Sequence, residues 1–167
     1  NFTAASYTYS IQDEAVFQHL YKTEDFLFAG GREGITSFDL YANGNKSIYH
    51  TGTAVNDLRV DNQQLWLATY GEGLLRFNDF ASLTSPTQFT TTHGLGSNYI
   101  QCLGFDRENN LWAGTSGAGM SMFLGDAFSY QYQGLAANGL NSILAQKSDK
   151  LWLGTEKGLF SISNNTE

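Results

Sequence analysis

One short motif recurs four times along this chain, and it constrains the fold more than any other feature. Three copies contain tryptophan, and a fourth, degenerate copy has phenylalanine: Leu65-Trp66-Leu67-Ala68-Thr69, Leu111-Trp112-Ala113-Gly114-Thr115, Leu151-Trp152-Leu153-Gly154-Thr155 and Leu27-Phe28-Ala29-Gly30-Gly31. The aromatic residues lie at positions 28, 66, 112 and 152, so their spacings are 38, 46 and 40 residues. A period of about 40 residues is typical of β-propeller blades.

Each copy of the motif predicts a β-hairpin. An apolar run such as Leu-Trp-Leu is too short for a helix and predicts a buried strand. A glycine follows each aromatic residue after six or seven positions and can supply the positive φ of a tight turn. A small residue two positions after the aromatic one leaves room for a neighbouring sheet: Gly30, Ala68, Gly114 or Gly154. One hairpin is marginally stable in water, so the copies must pack on one another.

The segments between the motifs complete a four-stranded antiparallel unit. An apolar first strand precedes each aromatic strand, at 16–21, 55–60, 99–105 and 141–145. A third strand such as 74–77 follows the glycine turn, and outer strands are predicted at 89–92 and 128–132. The first strands are apolar on both faces, so both faces must be covered. We therefore predict an all-β propeller with four blades of four strands, in repeats 11–50, 51–92, 93–133 and 134–163.

The ends of the chain leave three ways of closing the propeller open. Residues 1–10 resemble an outer strand that belongs to no later repeat, and the fourth repeat lacks its own outer strand. The first strand could therefore complete the last blade of a four-bladed ring. The alternatives are two chains that share one eight-bladed ring, or a segment of a longer propeller. A longer or assembled ring is favoured, since blades of this repeat type usually form larger rings. Without closure, the outer edge of the fourth blade and the faces of the terminal blades would be exposed and prone to association.

Composition restricts the partners. The 167 residues include 18 glycines and one proline and carry a net charge of −7, which disfavours a nucleic-acid partner. No apolar run is long enough for a membrane span or the core of a signal peptide, so no membrane contact is expected within this chain. The lone Cys102 cannot form an internal disulfide, and its apolar strand predicts a small core residue.

Candidate ligand-binding residues lie in the loops that a propeller gathers around one end of its central channel. These loops join the second strand to the third, and one blade to the next. They contain Arg32, Glu33, Tyr70, Glu72, Asn98, Tyr99, Ser116, Asn141, Glu156 and Lys157. Together these side chains would suit a saccharide or a small polar ligand. The rival interpretation is that each is an ordinary polar turn residue, and asparagine in particular can bond to the backbone of its own turn.

The sequence offers little support for catalysis or metal binding. The three histidines, His19, His50 and His93, lie in different repeats without the spacing of metal ligands. Neither a nucleophile elbow nor a Walker loop is present, so no cofactor and no catalytic residue are predicted. A lyase that acts on a polysaccharide or a cyclic peptide remains an alternative, and it would need a histidine beside a carboxylate at the channel. Acidic pairs such as Glu24-Asp25 are predicted to be solvated turn residues.

Residues 94–123 resemble the two-component regulator propeller repeat. They share its Gly-Leu, its Ser-Asn turn, a short apolar strand, a polar turn with Asp, then Leu-Trp-(apolar)-Gly-Thr and a later glycine. Residues 139–162 match this pattern nearly as well. Residues 55–77 lack the Ser-Asn turn, and residues 16–38 have Phe28 in place of tryptophan and Gly31 in place of threonine.

This resemblance implies a role in signalling. Propellers of this family form the extracytoplasmic sensor portion of membrane-bound bacterial regulators, such as hybrid histidine kinases and diguanylate cyclases, and they bind a ligand, often a saccharide, or organise a dimer. The chain is therefore expected to be a non-enzymatic sensing or interaction module, periplasmic or extracellular, with self-association as one way of completing its ring. The alternatives are the lyase named above and a purely structural or oligomerisation fragment.

Overall fold

The fold consists of antiparallel β-sheets that follow one another along the chain. A computed structural model describes residues 16–41, 46–61, 63–79, 81–131, 139–146 and 150–163. Blade 1 contains β1 (Phe17–Lys22), β2 (Phe26–Gly31), β3 (Gly34–Asp39) and β4 (Lys46–His50). Blade 2 contains β5 (Val55–Asp61), β6 (Gln64–Thr69), β7 (Leu74–Phe77) and β8 (Thr87–Phe89). Blade 3 contains β9 (Ile100–Phe105), β10 (Leu111–Thr115), β11 (Met120–Phe123) and β12 (Phe128–Gln131). Blade 4 contains β13 (Leu140–Gln146), β14 (Lys150–Thr155) and β15 (Gly158–Ser163).

Within every blade, strands adjacent in sequence are also adjacent in the sheet. All pairings are antiparallel, and the order is sequential in the three four-stranded sheets and in the three described strands of blade 4. This confirms the predicted all-β propeller architecture. The outer strand expected at 89–92 is displaced: β8 ends at Phe89, and Thr91–His93 form a 3-10 turn. The predicted outer strand at 1–10 lies outside the described residues.

Neighbouring blades meet along their first strands. β1 contacts β5, β5 contacts β9, and β9 contacts β13, so the sheets stack side by side around these inner strands. Three apolar clusters fill the spaces between blades 1 and 2, 2 and 3, and 3 and 4. Each inner blade therefore has two covered faces, which we name the preceding face, toward the earlier blade, and the following face, toward the later one.

The aromatic motif residue lies on the following face of its blade. The Trp66 ring of blade 2 lies 4.9 Å from the Phe123 ring of blade 3, measured between ring centroids, and Trp66 is 2% exposed. Phe28 of blade 1 is buried in the same way against blade 2, and Trp112 of blade 3 is buried against blade 4. Trp152 is only half-buried, because none of the described blades follows blade 4. Equivalent sequence positions therefore differ in burial.

The small residue of the motif allows the next blade to approach closely, as predicted. A Cβ atom added to Gly30 would lie 3.0 Å from Cγ1 of Val55 in blade 2. A Cβ atom added to Gly114 would lie 3.0 Å from Cβ of Leu140 in blade 4. Contacts this short leave no room for a side chain unless the neighbour moves.

Polar side chains of the first strand also connect blades 2 and 3. Oδ2 of Asp57 accepts a hydrogen bond from the backbone N–H of Leu103 at 2.8 Å, and Oδ1 of Asp57 lies 2.6 Å from Nη1 of Arg59. Nδ2 of Asn56 donates to the carbonyl oxygen of Ile100 at 2.8 Å. These bonds fix the register of β5 against β9, and so position the loops at the end of both blades.

Candidate functional site

Two exposed tyrosines lie side by side where blades 2 and 3 meet. Tyr70 follows β6 and Tyr99 precedes β9, and the two residues form an isolated antiparallel bridge. Their ring centroids are 5.0 Å apart with an interplanar angle of 72°, an edge-to-face arrangement. Each side chain is about half exposed to solvent. We call this feature the tyrosine pair, and it offers aromatic surface to a ligand at the loop end of the two blades.

Backbone hydrogen bonds hold the loops under the tyrosine pair. The carbonyl oxygen of Asn98 accepts from the N–H groups of Gly71 at 3.1 Å and Gly73 at 3.0 Å, which ties the blade 2 turn to blade 3. The N–H of Ser116 donates to the carbonyl oxygen of Tyr99 at 3.0 Å. Hydrogen-bonded backbone segments of both blades therefore hold the tyrosine pair in place.

Two of the predicted ligand residues are engaged in the protein itself. Oδ1 of Asn98 accepts from the backbone N–H of Thr91 at 2.8 Å, which is the structural role that competes with ligand binding. A carboxylate oxygen of Glu72 accepts from Nε2 of Gln88 at 3.0 Å. Glu72 is exposed, and its other carboxylate oxygen forms no described hydrogen bond in this part of the chain.

The structure brings five of the ten predicted site residues together and separates the others. Tyr70, Glu72, Asn98, Tyr99 and Ser116 cluster at the junction of blades 2 and 3. Arg32 and Glu33 form the exposed turn between β2 and β3, and Glu156 and Lys157 form the exposed turn between β14 and β15. These turns lie at the same ends of their blades, but in blades 1 and 4.

Asn141 was predicted both as a loop residue of the candidate site and as the first residue of the strand 141–145; the strand is confirmed, and the loop position is wrong. The residue is inside β13, where Leu140 pairs with Thr155 as Ile100 pairs with Thr115 in blade 3. Asn141 therefore corresponds to Gln101 rather than to Asn98. Alignment of the Gly94-Leu95 turn with Gly139-Leu140 made Asn141 look equivalent to Asn98, three residues before Gln101. Sequence similarity in a turn carries no information about the register of the strand that follows.

The first strand of every blade contains a β-bulge at an amide residue. The strand pairing shifts by one residue in each blade, and the extra residue is Gln18, Asn56, Gln101 or Asn141. All four are at least partly exposed, and they lie on the inner strands just below the loop end. Of these four amides, sequence reasoning named only Asn141 as a candidate, and it did not recognise the row. Its signal is an Asn or Gln located 10 or 11 residues before each aromatic motif residue.

Histidines and carboxylates do not meet in the described residues. His19 lies in β1, His50 ends β4, and His93 lies in the 3-10 turn, where its Nδ1 accepts from the backbone N–H of Thr90 at 3.1 Å. Within the ranges that the structure covers, no histidine forms an ion pair with a carboxylate, and no group of three or more His, Cys, Asp or Glu side chains has a metal-binding arrangement.

The opposite end of blades 1 and 2 contains an acidic cleft of about 310 Å³. Its lining residues come from the turns after β1, β5 and β7 and from the start of β2: Thr23, Glu24, Asp25, Phe26, Gln63, Asn78 and Asp79. The Ser82 hydroxyl and the Ala81 N–H lower the pKa of Asp79 by hydrogen bonding to its carboxylate. This cleft and the tyrosine pair are at opposite ends of the strands, so a single small ligand cannot contact both.

The third repeat matches a known protein family. Residues 94–117 match the family described as two component regulator propeller. The resemblance predicted from the sequence is confirmed. The two component regulator propeller match covers β9 and β10, including Tyr99 of the tyrosine pair and the bulge residue Gln101. No curated protein sequence matches the chain significantly.

Solved structures share the fold at low sequence identity. The chain matches an extracellular domain assigned to the hybrid two component system BT3049 from B. thetaiotaomicron with a TM-score of 0.68 and 21% identity, over 87% of this chain and 21% of that one. It matches the computationally designed Ika8 protein with a TM-score of 0.67 and 13% identity, over 92% and 48% of the two chains. It also matches a luciferin-regenerating enzyme with a TM-score of 0.63 and 12% identity, over 94% and 64%.

These matches show a propeller fold related to that of extracellular domains of two-component systems. The chain spans about a fifth of the length of the B. thetaiotaomicron domain. In the described part of the chain, the structure contains no helix with the length and apolarity that a membrane span requires.

Proposed function

We propose that this chain is a non-enzymatic, ligand-binding propeller module of an extracytoplasmic bacterial sensor, and that it binds a neutral saccharide at the tyrosine pair. The observation that carries the proposal is the exposed, edge-to-face contact of Tyr70 and Tyr99 at the junction of two blades. Tyrosine offers a rigid ring for the apolar C–H face of a sugar and a hydroxyl group for its polar edge, and it loses little conformational entropy on binding.

The surroundings of the pair support a polar and uncharged ligand. Below it, the bulge residues Asn56 and Gln101 offer carboxamide groups, which both donate and accept hydrogen bonds, as sugar hydroxyls do. Nδ2 of Asn56 already donates to the Ile100 carbonyl, so its carboxamide oxygen is the atom that remains to accept from a ligand. The net charge of −7 disfavours an anionic polysaccharide.

Sensing is supported by relatives rather than by the site itself. The third repeat matches the two component regulator propeller family, and one structural neighbour is an extracellular domain of a two-component system. The same likeness supports a periplasmic or extracellular location. Binding without catalysis is favoured over a lyase, since in the described residues no histidine forms an ion pair with a carboxylate. The output domain of such a sensor would be elsewhere.

The test is binding of neutral oligosaccharides to the purified chain. Cello-, xylo-, malto- and manno-oligosaccharides would be screened on an array, and the best ligand titrated by calorimetry. Tyr70→Ala and Tyr99→Ala should each weaken binding about tenfold or more, since a buried aromatic contact contributes on the order of 1.4 kcal/mol or more. Tyr41→Ala is the matched control, because Tyr41 is an exposed tyrosine in the turn after β3, at the other end of the blade.

The outcomes separate the alternatives. Loss of binding in both pair variants, with the Tyr41 variant unchanged, supports the proposal. Unchanged affinity in the Tyr70→Ala and Tyr99→Ala double variant would contradict the assigned site. A chain that binds none of the neutral oligosaccharides would contradict the assigned ligand class.

A further inference from the structure

One leucine on blade 1 is exposed although its counterparts in the other blades are buried. By strand register, Leu20 corresponds to Leu58, Leu103 and Ile143, because each pairs with the residue directly after the aromatic motif position. The three counterparts are 0–7% exposed, since each lies on the preceding face of its blade and packs against the blade before it. Leu20 is 69% exposed. Blade 1 thus presents an uncovered preceding face.

Blade 4 shows the complementary situation. Leu159 pairs with Gly154 as Ile35 pairs with Gly30, Leu74 with Ala68 and Met120 with Gly114. These counterparts lie on the following faces of blades 1, 2 and 3 and are at most 1% exposed, whereas Leu159 is 70% exposed. Leu144 and Trp152, a cross-strand pair on the same face, are exposed and half-buried. Blade 4 thus presents an uncovered following face.

The three blade junctions within the chain show what fits such faces. At the junction of blades 1 and 2, Ile35 and Gly30 of the following face meet Leu58 and Val55 of the preceding face. On blade 4, Leu159 and Gly154 correspond to Ile35 and Gly30, but in the described residues no preceding face covers them. On blade 1, the exposed Leu20 corresponds to Leu58, the residue that meets a following face. The two free faces are therefore the two halves of one further junction.

Among the described residues, blades 1 and 4 do not form this junction with each other. If blades 1 and 4 closed a four-bladed ring, Leu20 and Leu159 would be buried against each other, as their counterparts are. Both are about 70% exposed instead. The faces are therefore available to a second copy.

We propose that two copies of this chain assemble head to tail, each packing its blade 4 on blade 1 of the other, into one eight-bladed ring. Both junctions of this ring repeat the packing already seen three times within the chain. Two copies are the smallest number that leaves no face free, because each chain offers one uncovered preceding face and one uncovered following face. The assembly buries apolar surface that a monomeric soluble protein rarely exposes as a contiguous patch.

The test is the mass of the chain in solution, measured by sedimentation velocity over a range of concentrations. The wild-type chain should sediment at twice the mass of the 18.4 kDa chain. Leu20→Glu and Leu159→Glu should each give a monomer, with the dissociation constant raised about 30-fold or more, because each places a charge in both junctions of the ring. Leu124→Glu is the matched control, since Leu124 is an equally exposed leucine in the turn between β11 and β12.

Mixing the two variants distinguishes head-to-tail packing from other dimers. A Leu20→Glu chain retains an intact blade 4, and a Leu159→Glu chain retains an intact blade 1. One of the two junctions between them is therefore wild type, and the mixture should form a dimer that neither variant forms alone. Far-UV circular dichroism verifies that each variant is folded, as expected for substitutions at exposed positions.

Three results would overturn the proposal. A wild-type chain that stays monomeric at its highest soluble concentration would show that the faces do not pair between copies. A Leu20→Glu chain that remains dimeric while Leu159→Glu is monomeric would show that blade 4 packs on blade 4. A wild-type chain that forms open polymers rather than a dimer would refute closure after two copies.

Discussion

Replacing Trp66 by alanine should destabilise this protein far more than the same change at Trp152, although the two residues occupy the same motif position. Trp66 is 2% exposed, and its ring lies 4.9 Å from Phe123 and 5.7 Å from Phe89, between ring centroids. The Arg76 guanidinium lies 5.4 Å from the centre of the Trp66 ring. Trp152 is only half-buried, since none of the described blades covers the following face of blade 4. Its indole N–H donates to Gln146 at 2.7 Å.

The magnitude follows from burial and from the cavity. Trp66→Ala removes a fully buried indole between two sheets and leaves an enclosed void, so the free energy of unfolding should fall by about 3 to 5 kcal/mol. Trp152→Ala removes a half-buried ring next to solvent and encloses no void, so the loss should be about 1 to 2 kcal/mol. At about 2 to 4 °C per kcal/mol for a chain of this size, Trp66→Ala lowers Tm by about 6 to 20 °C.

Equilibrium unfolding in urea, followed by far-UV circular dichroism, measures both losses without depending on tryptophan fluorescence. Both variants should be compared in the Leu20→Glu background, which keeps the following face of blade 4 free of a second copy. Equal losses at the two positions would refute the reasoning, because burial by the next blade would then not determine the contribution of the motif tryptophan. A loss below about 1 kcal/mol at Trp66 would refute the packing itself.

Two further predictions concern the backbone turn and the buried thiol. Gly73→Ala should lower the free energy of unfolding, measured in urea, by about 1 to 3 kcal/mol more than Gly125→Ala does. Both glycines have positive φ, but only a Cβ atom at Gly73 would overlap the carbonyl oxygen of Phe89. Equal losses for the two variants would contradict this prediction. Burial, reinforced by the Asp57 carboxylate, raises the pKa of Cys102 from 9.0 to about 12. The thiol should therefore resist a disulfide reagent at pH 8 until the chain is unfolded in guanidinium, and rapid labelling of the native chain would contradict its burial. The pKa of the thiol is lower in the unfolded chain than in the folded chain. The stability contributed by the protonated thiol should therefore be complete below pH 9 and decline as the pH rises toward 12. Thermal melts across that pH range measure this decline.

Much of the fold follows from local sequence patterns. The spacing of the aromatic motif, with its apolar runs and turn glycines, predicted four repeats of antiparallel strands, and the structure places a sheet at each. The predicted first strands 16–21, 55–60 and 99–105 agree with β1, β5 and β9 to within one residue at each end. The small residues at Gly30 and Gly114 were assigned correctly to the close approach of the next blade. Such features are local, because strand formation and turn formation depend on residues only a few positions apart.

The candidate site was only partly predictable. The loops that carry Tyr70 and Tyr99 were identified, but nothing in the sequence indicates that these two rings touch, since they are far apart in the chain and meet only because blades 2 and 3 pack together. Asn141 was placed in a loop, whereas a bulge puts it inside β13. Register depends on hydrogen bonding between strands, and a one-residue shift leaves no mark in the sequence of one strand.

The sequence alone therefore determined the repeat, the strand order within each blade and the residue that each blade presents to its neighbour. Only the tertiary structure decided which of these equivalent residues are buried. Leu58 and Leu20 have the same place in the repeat, yet one is covered by a preceding blade and the other faces solvent. The physical reason is that burial is a property of two sheets in contact, so a single repeat specifies the shape of its face but not whether another face lies against it.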